Sequence, residues 1–299
     1  MNTRIIAIAL MLLSLPLKGL AEVPDSIVVE RLLASGDTTT LYYARQLLGK
    51  PYVAHTLEVN IKEQLVVNLR QLDCTTLVET VCALTMTARE GKRDFHSFCH
   101  HLQQLRYRQG RLDGYPSRLH YFSDWIEDNA AMGLVNEITS NVGGDLQSTP
   151  FTAIQTLNIN YMSTHPQAYK ALRQHPEMVK QIAAQEKSLT GRQYRYIPKS
   201  NKPDNRLLQQ FIHDGDILAI TCSKPGLDIA HLGFAVWRKD GLHLLNASQL
   251  HKKVVEEPMT LWQYLAKHPS HTGIRVIRLT PVLPRCRQSA CSRCRARGN

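Results

Sequence analysis

Leu72-Asp73-Cys74-Thr75-Thr76-Leu77-Val78-Glu79 is the stretch around which the chain is organised. A polar, irregular segment ends there and an apolar run begins. Leu77, Val78, Val81, Cys82 and Leu84 fall on one side of a helix, with Glu79, Thr80, Ala83 and Thr87 on the other. Asp73, Thr75 and Thr76 are all N-cap candidates, and Thr76 with Glu79 has capping-box spacing. Cys74 then stands at, or one residue outside, the first helical turn. Unpaired amides and the positive end of the helix dipole favour a thiolate there, so the thiol pKa is expected to fall. A structural thiol more naturally lies mid-helix on the apolar stripe, as Cys82 does. From position alone, both readings of Cys74 stand open.

Outward from this stretch, 299 residues with 43% hydrophobic content suffice for one large core or two small ones. At the N-terminus Arg4 precedes the apolar run Ile5 to Leu17, and Gly19-Leu20-Ala21 supplies small residues. That order predicts a secretory signal peptide over 1–21, cleaved after Ala21, and hence an exported, periplasmic protein with no membrane anchor. Seven cysteines in an exported chain invite a disulfide framework. Their scatter argues against one. Cys74, Cys82, Cys99 and Cys222 are far apart, Cys286, Cys291 and Cys294 crowd the tail, and the count is odd. The formal charge is +11, but five arginines lie in 285–299, leaving +6 elsewhere. The balance suits an anionic surface or polymer; nucleic acid is disfavoured, because no aromatic-interleaved basic motif accompanies the charge.

Ser26 to Gly49 has helical periodicity broken at Gly36-Asp37, with Gly49 as a stop. Pro51-Tyr52-Val53 and Leu57-Glu58-Val59 are extended, the Cys74 helix runs to about Arg89, and Asp94 to Tyr107 is a polar helix. His96 and His100 on it have metal-pair spacing beside Cys99, but no second ligand cluster is evident, so a solvated face is expected and no metal or cofactor. Gly114 to Thr139 is dense in rings and polar groups, a self-packed loop or a saccharide or peptide groove. His165 to Lys187 is a helical insert with little chemistry. Asp216–Cys222, His231–Trp237, Leu242–Ala247 and Gly273–Leu279 are strands, with a tight turn at Lys239-Asp240-Gly241. The result is α+β, one helical layer on one face of an antiparallel sheet. The expected organisation is a leader at 1–21, one domain over 22–284 and a basic disordered tail at 285–299.

A thiol nucleophile needs a base, and the base an orienter. His231 opens a strand with Gly233 two residues on. If Lys239-Asp240 is the two-residue turn, Ser248 lies opposite His231 and Asn246 is its diagonal neighbour on the same face. Cys74, His231 and Asn246 thus form a candidate Cys–His–polar set, against a bland reading of His231 as a rim histidine.

Leu48-Gly-Lys-Pro-Tyr-Val53, Leu57-Glu58, Asp73-Cys-Thr-Thr-Leu-Val-Glu79, Tyr115-Pro-Ser-Arg-Leu-His-Tyr-Phe-Ser-Asp-Trp125, Gly215-Asp216 and His231-Leu-Gly-Phe234 follow one another in this order. The chain thereby resembles the N-acetylmuramoyl-L-alanine amidase-like family within the NlpC-type, papain-like peptidoglycan hydrolases, over roughly Leu41 to Leu279. The resemblance implies a papain-like core with added helices. It also implies a cofactor-free cysteine amidase, monomeric, cutting the amide between N-acetylmuramic acid and L-alanine in muropeptides. Carried over by position, Cys74 is the nucleophile, His231 the base and Asn246 the third residue, where relatives tend to have histidine. Tyr52 and Asp73 are the leading substrate contacts, with Arg118 and Asp124 as weaker ones. A second departure is His55, where relatives tend to have glycine. The alternatives are a stem-peptide endopeptidase of the same superfamily and a non-catalytic peptidoglycan-binding protein.

Overall fold

The computed structural model describes residues 23–138, 149–200 and 203–281. The leader, the tail with Cys286, Cys291 and Cys294, and Thr139 at the end of the ring-dense block lie outside them. Ten α-helices and eight strands follow in the described residues. Helices α1 (Asp25–Ala34) and α2 (Thr40–Gln46) are separated at Gly36, whose φ of 77° no longer fits a helix, and Gly49 at φ 80° ends the segment. Then come α3 (Cys74–Arg89), α4 (Phe95–Arg106), α5 (Phe122–Ala131) and strand β1 (Val135–Glu137). A middle section holds β2 (Ala153–Thr156), α6 (Tyr161–Thr164), α7 (Lys170–Gln174), α8 (Met178–Leu189) and β3 (Gln193–Pro198). The last third holds α9 (Asn205–Gln209), β4 (Ile217–Cys222), β5 (Ile229–Arg238), β6 (Gly241–Ser248), β7 (Lys253–Glu256), α10 (Leu261–Ala266) and β8 (His271–Leu279).

The strands form one antiparallel sheet in the order β2-β3-β8-β4-β5-β6-β7, with β1 also paired to β8. Strands β4 to β6 are the expected meander, and β7 extends it by one strand. The hairpin register pairs Arg238 with Gly241 and Phe234 with Leu245, so Lys239-Asp240 is the two-residue turn. Continued outward, that register sets Ser248 opposite His231, as the sequence predicts. Gly233 is required here, because a Cβ on it would come within 2.5 Å of the Leu245 carbonyl oxygen. Strands β1, β3 and β7 were not expected; each is short and carries charged or polar residues, leaving little alternation to detect.

The single helical layer is corrected. Ile217 and Ala219 of β4 face a core built with α3, α4 and α5. Leu218 and Ile220, alternating with them, face a second core with Leu261 and Leu265 of α10 and Leu208 of α9. Strand β4 is buried at every position, the pattern of a strand covered on both faces. A third cluster (Ile159, Met162, Leu172, Ile182, Leu189) holds the middle section together.

Helix α3 is buried from Thr76 through Ala88, including the side expected to be polar. Its polar groups are satisfied internally. Glu79 pairs with Arg106 of α4 at 2.7 Å, while Thr85 and Thr87 donate to the carbonyls of Val81 and Ala83. The helix that begins with Cys74 is therefore the axis of the larger core. No helix of the described residues is long and apolar enough to cross a membrane.

Candidate active site

Asp73 is the N-cap of α3, and Cys74 is its first residue. The Asp73 Oδ1 accepts from the Thr76 amide and from the Thr76 hydroxyl, both at 2.8 Å, and Thr76 Oγ1 in turn accepts from the Asp73 amide at 2.9 Å. Of the caps the sequence allows, this Asp73/Thr76 box forms. The preceding residue is sewn to the Tyr52 segment: Leu72 N–H donates to Pro51, and Val53 N–H to Leu72. Tyr52 N–H donates to Lys252, so Tyr52 is held beside Cys74. Burial, then the Cys74 and Asp73 charges, push the Tyr52 hydroxyl pKa up.

The thiol itself does not behave as its helix position suggests. Burial, with help from the Asp73 carboxylate, pushes Cys74 up to about 12, against opposing hydrogen bonds from the Leu232 backbone and from Thr75. Desolvation of the sulfur outweighs the first-turn amides. At rest this burial favours the neutral thiol.

His231 supplies an imidazole from β5. Its Nε2 lies 2.9 Å from Oδ1 of Asn246 on β6, the predicted diagonal pair. Asn246 is fully buried, and its Nδ2 donates to Glu257 Oε1 at 3.0 Å. A carboxylate only accepts, so the Asn246 amide nitrogen must face Glu257 and its oxygen must face His231. His231 therefore carries its proton on Nε2 when neutral and keeps a lone pair on Nδ1. Glu257 is also fully buried, and His251 Nε2 lies 3.2 Å from its Oε2. Burial lowers the His231 pKa, while Asn246, Glu257 and Asp73 favour the cation and His268 opposes it.

Cys74 and His231 line one cleft of about 170 Å³, walled by His120, Tyr121, Phe122, Met162, Tyr169 and Asp228. The structure thus brings together Cys74, His231, Asn246, Tyr52 and Asp73. Arg118 and Asp124 lie elsewhere. Arg118 is bound to Glu63 and Glu58 beside a separate cavity, and Asp124 is paired with Arg108. Their charges hold the ring-dense block together. His55 sits at φ 62°, the left-handed region that glycine enters most readily.

Sequence reasoning missed Glu257 and His251, which lie outside every motif. It also missed Met162 and Tyr169, which make the middle section a cleft wall. Cys74, Cys82, Cys99 and Cys222 are all free thiols, as the scatter predicts. Among the described residues no group of three or more His, Cys, Asp or Glu is arranged to hold a metal ion.

A half-buried thiol at a helix start, an imidazole oriented by Asn246 and a cleft lined by both are groups that acyl-transfer chemistry can draw on. Residues 42–274 match the family described as N-acetylmuramoyl-L-alanine amidase-like, and the chain belongs to that family of peptidoglycan hydrolases. A solved N-acetylmuramoyl-L-alanine amidase from Bacteroides uniformis is 42% identical, with 82% of this chain and 100% of that one covered and a TM-score of 0.75. A structure described as a putative xylanase from Bacteroides fragilis is 41% identical over 79% of this chain and 99% of that one, with a TM-score of 0.72. A Legionella pneumophila protein, 24% identical over 86% of this chain and 95% of that one at a TM-score of 0.66, shares the fold. No curated protein matches the chain.

Proposed function

We propose that this protein is a cysteine amidase of the NlpC-type, papain-like class. It hydrolyses the amide between the lactyl group of N-acetylmuramic acid and L-alanine in peptidoglycan fragments. The observation that carries the reading is the geometry at α3: Cys74 at a capped helix start, in one cleft with an imidazole whose tautomer Asn246 and Glu257 impose. Membership of the N-acetylmuramoyl-L-alanine amidase-like family supports this choice of bond. The proposed setting is the periplasm, on the strength of the leader at 1–21.

His231 Nδ1 takes the thiol proton as the sulfur attacks the lactyl carbonyl, so thiolate and imidazolium form together. The oxyanion meets the Cys74 backbone amide, one of the unpaired amides of the first turn, and the Tyr52 hydroxyl. His231 then gives its proton to the departing alanine nitrogen and activates water to hydrolyse the thioester. Glu257, acting through Asn246, favours the imidazolium of the intermediate stage. Asp73 holds the helix start at the reacting carbonyl.

Incubation with defined muropeptides, followed by mass spectrometry, tests this. The wild type should release intact stem peptides, and Cys74→Ala should release none while keeping the same fold by circular dichroism. Fragments cut within the stem peptide would instead identify an endopeptidase, and retention on peptidoglycan without turnover a binding protein.

A further inference from the structure

His231 borders two clefts. Cys74 lines the first, whose walls are largely aromatic and apolar. The second, of about 440 Å³, shares Ala230 and His231 with the first, and Cys74 does not line it. Its lining includes Lys224, Lys252, Tyr264, His268, Ser270 and His271, and no Asp or Glu.

This second cleft has a built floor. His268 and His271 stack at 4.4 Å, with Tyr264 at 4.5 Å from His268 and 6.3 Å from His231. Lys199 fixes the segment by donating to the carbonyls of His268 and Pro269. His268 Nδ1 is engaged by the Tyr264 carbonyl at 2.8 Å. His271 is only 6% exposed, and its Nδ1 is buried without a hydrogen-bond partner. Burial first, and then His268, His231, Lys199 and Lys224, hold the His271 imidazole down to about 4. Lys252 is anchored too. It sits at φ 57°, and its carbonyl accepts from Tyr52 beside the nucleophile.

The scissile bond must pass His231, because the imidazole protonates the leaving nitrogen. The acyl side then occupies the cleft that contains Cys74, and the amine side emerges into the other. We propose, resting on the amidase reading above, that the Lys224/Lys252/His271 cleft is an anion subsite that binds free carboxylates of the departing peptide. Lys224 and Lys252 meet the carboxylate from the rim, above the floor that the stacked His268 and His271 rings form. The subsite selects substrates whose peptide ends in a free carboxylate over those capped as amides.

The test pairs two muropeptides that differ only in a free or amidated C-terminal carboxylate. The wild type should cut the free form with a kcat/KM about tenfold higher, carried by KM, as two screened charge contacts allow. Both lysines are exposed, so Lys224→Gln/Lys252→Gln is expected to fold, and it should erase that preference while cutting the amidated form as the wild type does. Equal rates on both forms in the wild type, or a preference that survives the double substitution, would overturn the subsite. If neither muropeptide is cut, the amidase reading fails and binding decides the subsite alone. The free peptide is then titrated calorimetrically into Cys74→Ala at low and high salt. Binding that weakens with salt and with the two substitutions upholds the subsite, and its absence refutes it.

Discussion

Asn246 has one amide oxygen and one amide nitrogen, and Glu257 decides which of them meets His231. Glutamine at 257 would keep an acceptor for Asn246 but remove the charge that favours the imidazolium. Glu257→Gln should therefore lower kcat about tenfold, a fraction of the usual general acid–base contribution. It should also move the acid limb of kcat/KM to lower pH, because the His231 pKa falls further without the carboxylate. A pH–rate profile checks this; a limb that stays in place while only thermal stability drops would reduce Glu257 to a packing residue. His231 and Asn246 are visible in the sequence through the hairpin turn and a diagonal rule. Glu257 is not, because it follows β7, whose pairing with β6 is set by the sheet rather than by any local signal.

Helix α3 shows the limit of periodicity. Its apolar stripe is plain, and its opposite side is polar in composition, yet both are buried. The reason lies on α4, where Arg106 reaches Glu79 and also donates to the Val66 carbonyl. Both members of the pair are about 2% exposed. Glu79→Ala would strand a buried guanidinium, at a cost of about 3–5 kcal/mol, whereas Glu79→Ala combined with Arg106→Leu should recover much of that loss. Urea unfolding of the single and double variants measures the difference. The middle section is tied to the site by the same kind of contact. Glu186 of α8 accepts from the Tyr121 hydroxyl at 2.6 Å and from the Met162 amide at 2.9 Å, fixing the cleft wall. An insert that looks inert in sequence thus shapes the cavity over Cys74.

Across the molecule, burial holds several imidazoles neutral. His120 is pushed down to about 3 and His271 to about 4, each chiefly by desolvation, against an ordinary value of 6.5. The unfolded chain binds protons below about pH 6.5 that the folded chain refuses, so stability is complete above that pH and is lost as pH falls towards the folded values. From pH 7 to pH 5 the loss is about 2 kcal/mol for each of the two histidines. Urea midpoints at the two pH values test this, and unchanged midpoints would contradict it. The same burial raises Cys74, so the surroundings that form the cleft also favour the protonated thiol.

By itself the sequence determined that α3 begins within a residue of Cys74 and that the last third is a meander, and it offered the Lys239-Asp240 turn from which the His231–Asn246 diagonal follows. All of these follow from rules that act over a few residues: capping, alternation and turn chemistry. Tertiary structure alone decided that both faces of the sheet are covered, that Glu257 stands behind Asn246, and that a second cleft opens beyond His231. It also reversed the expected direction of the Cys74 pKa. Helix position is a local property, but desolvation of a sulfur depends on which distant segments close over it, here β5 and the walls carried by the ring-dense block and the middle section.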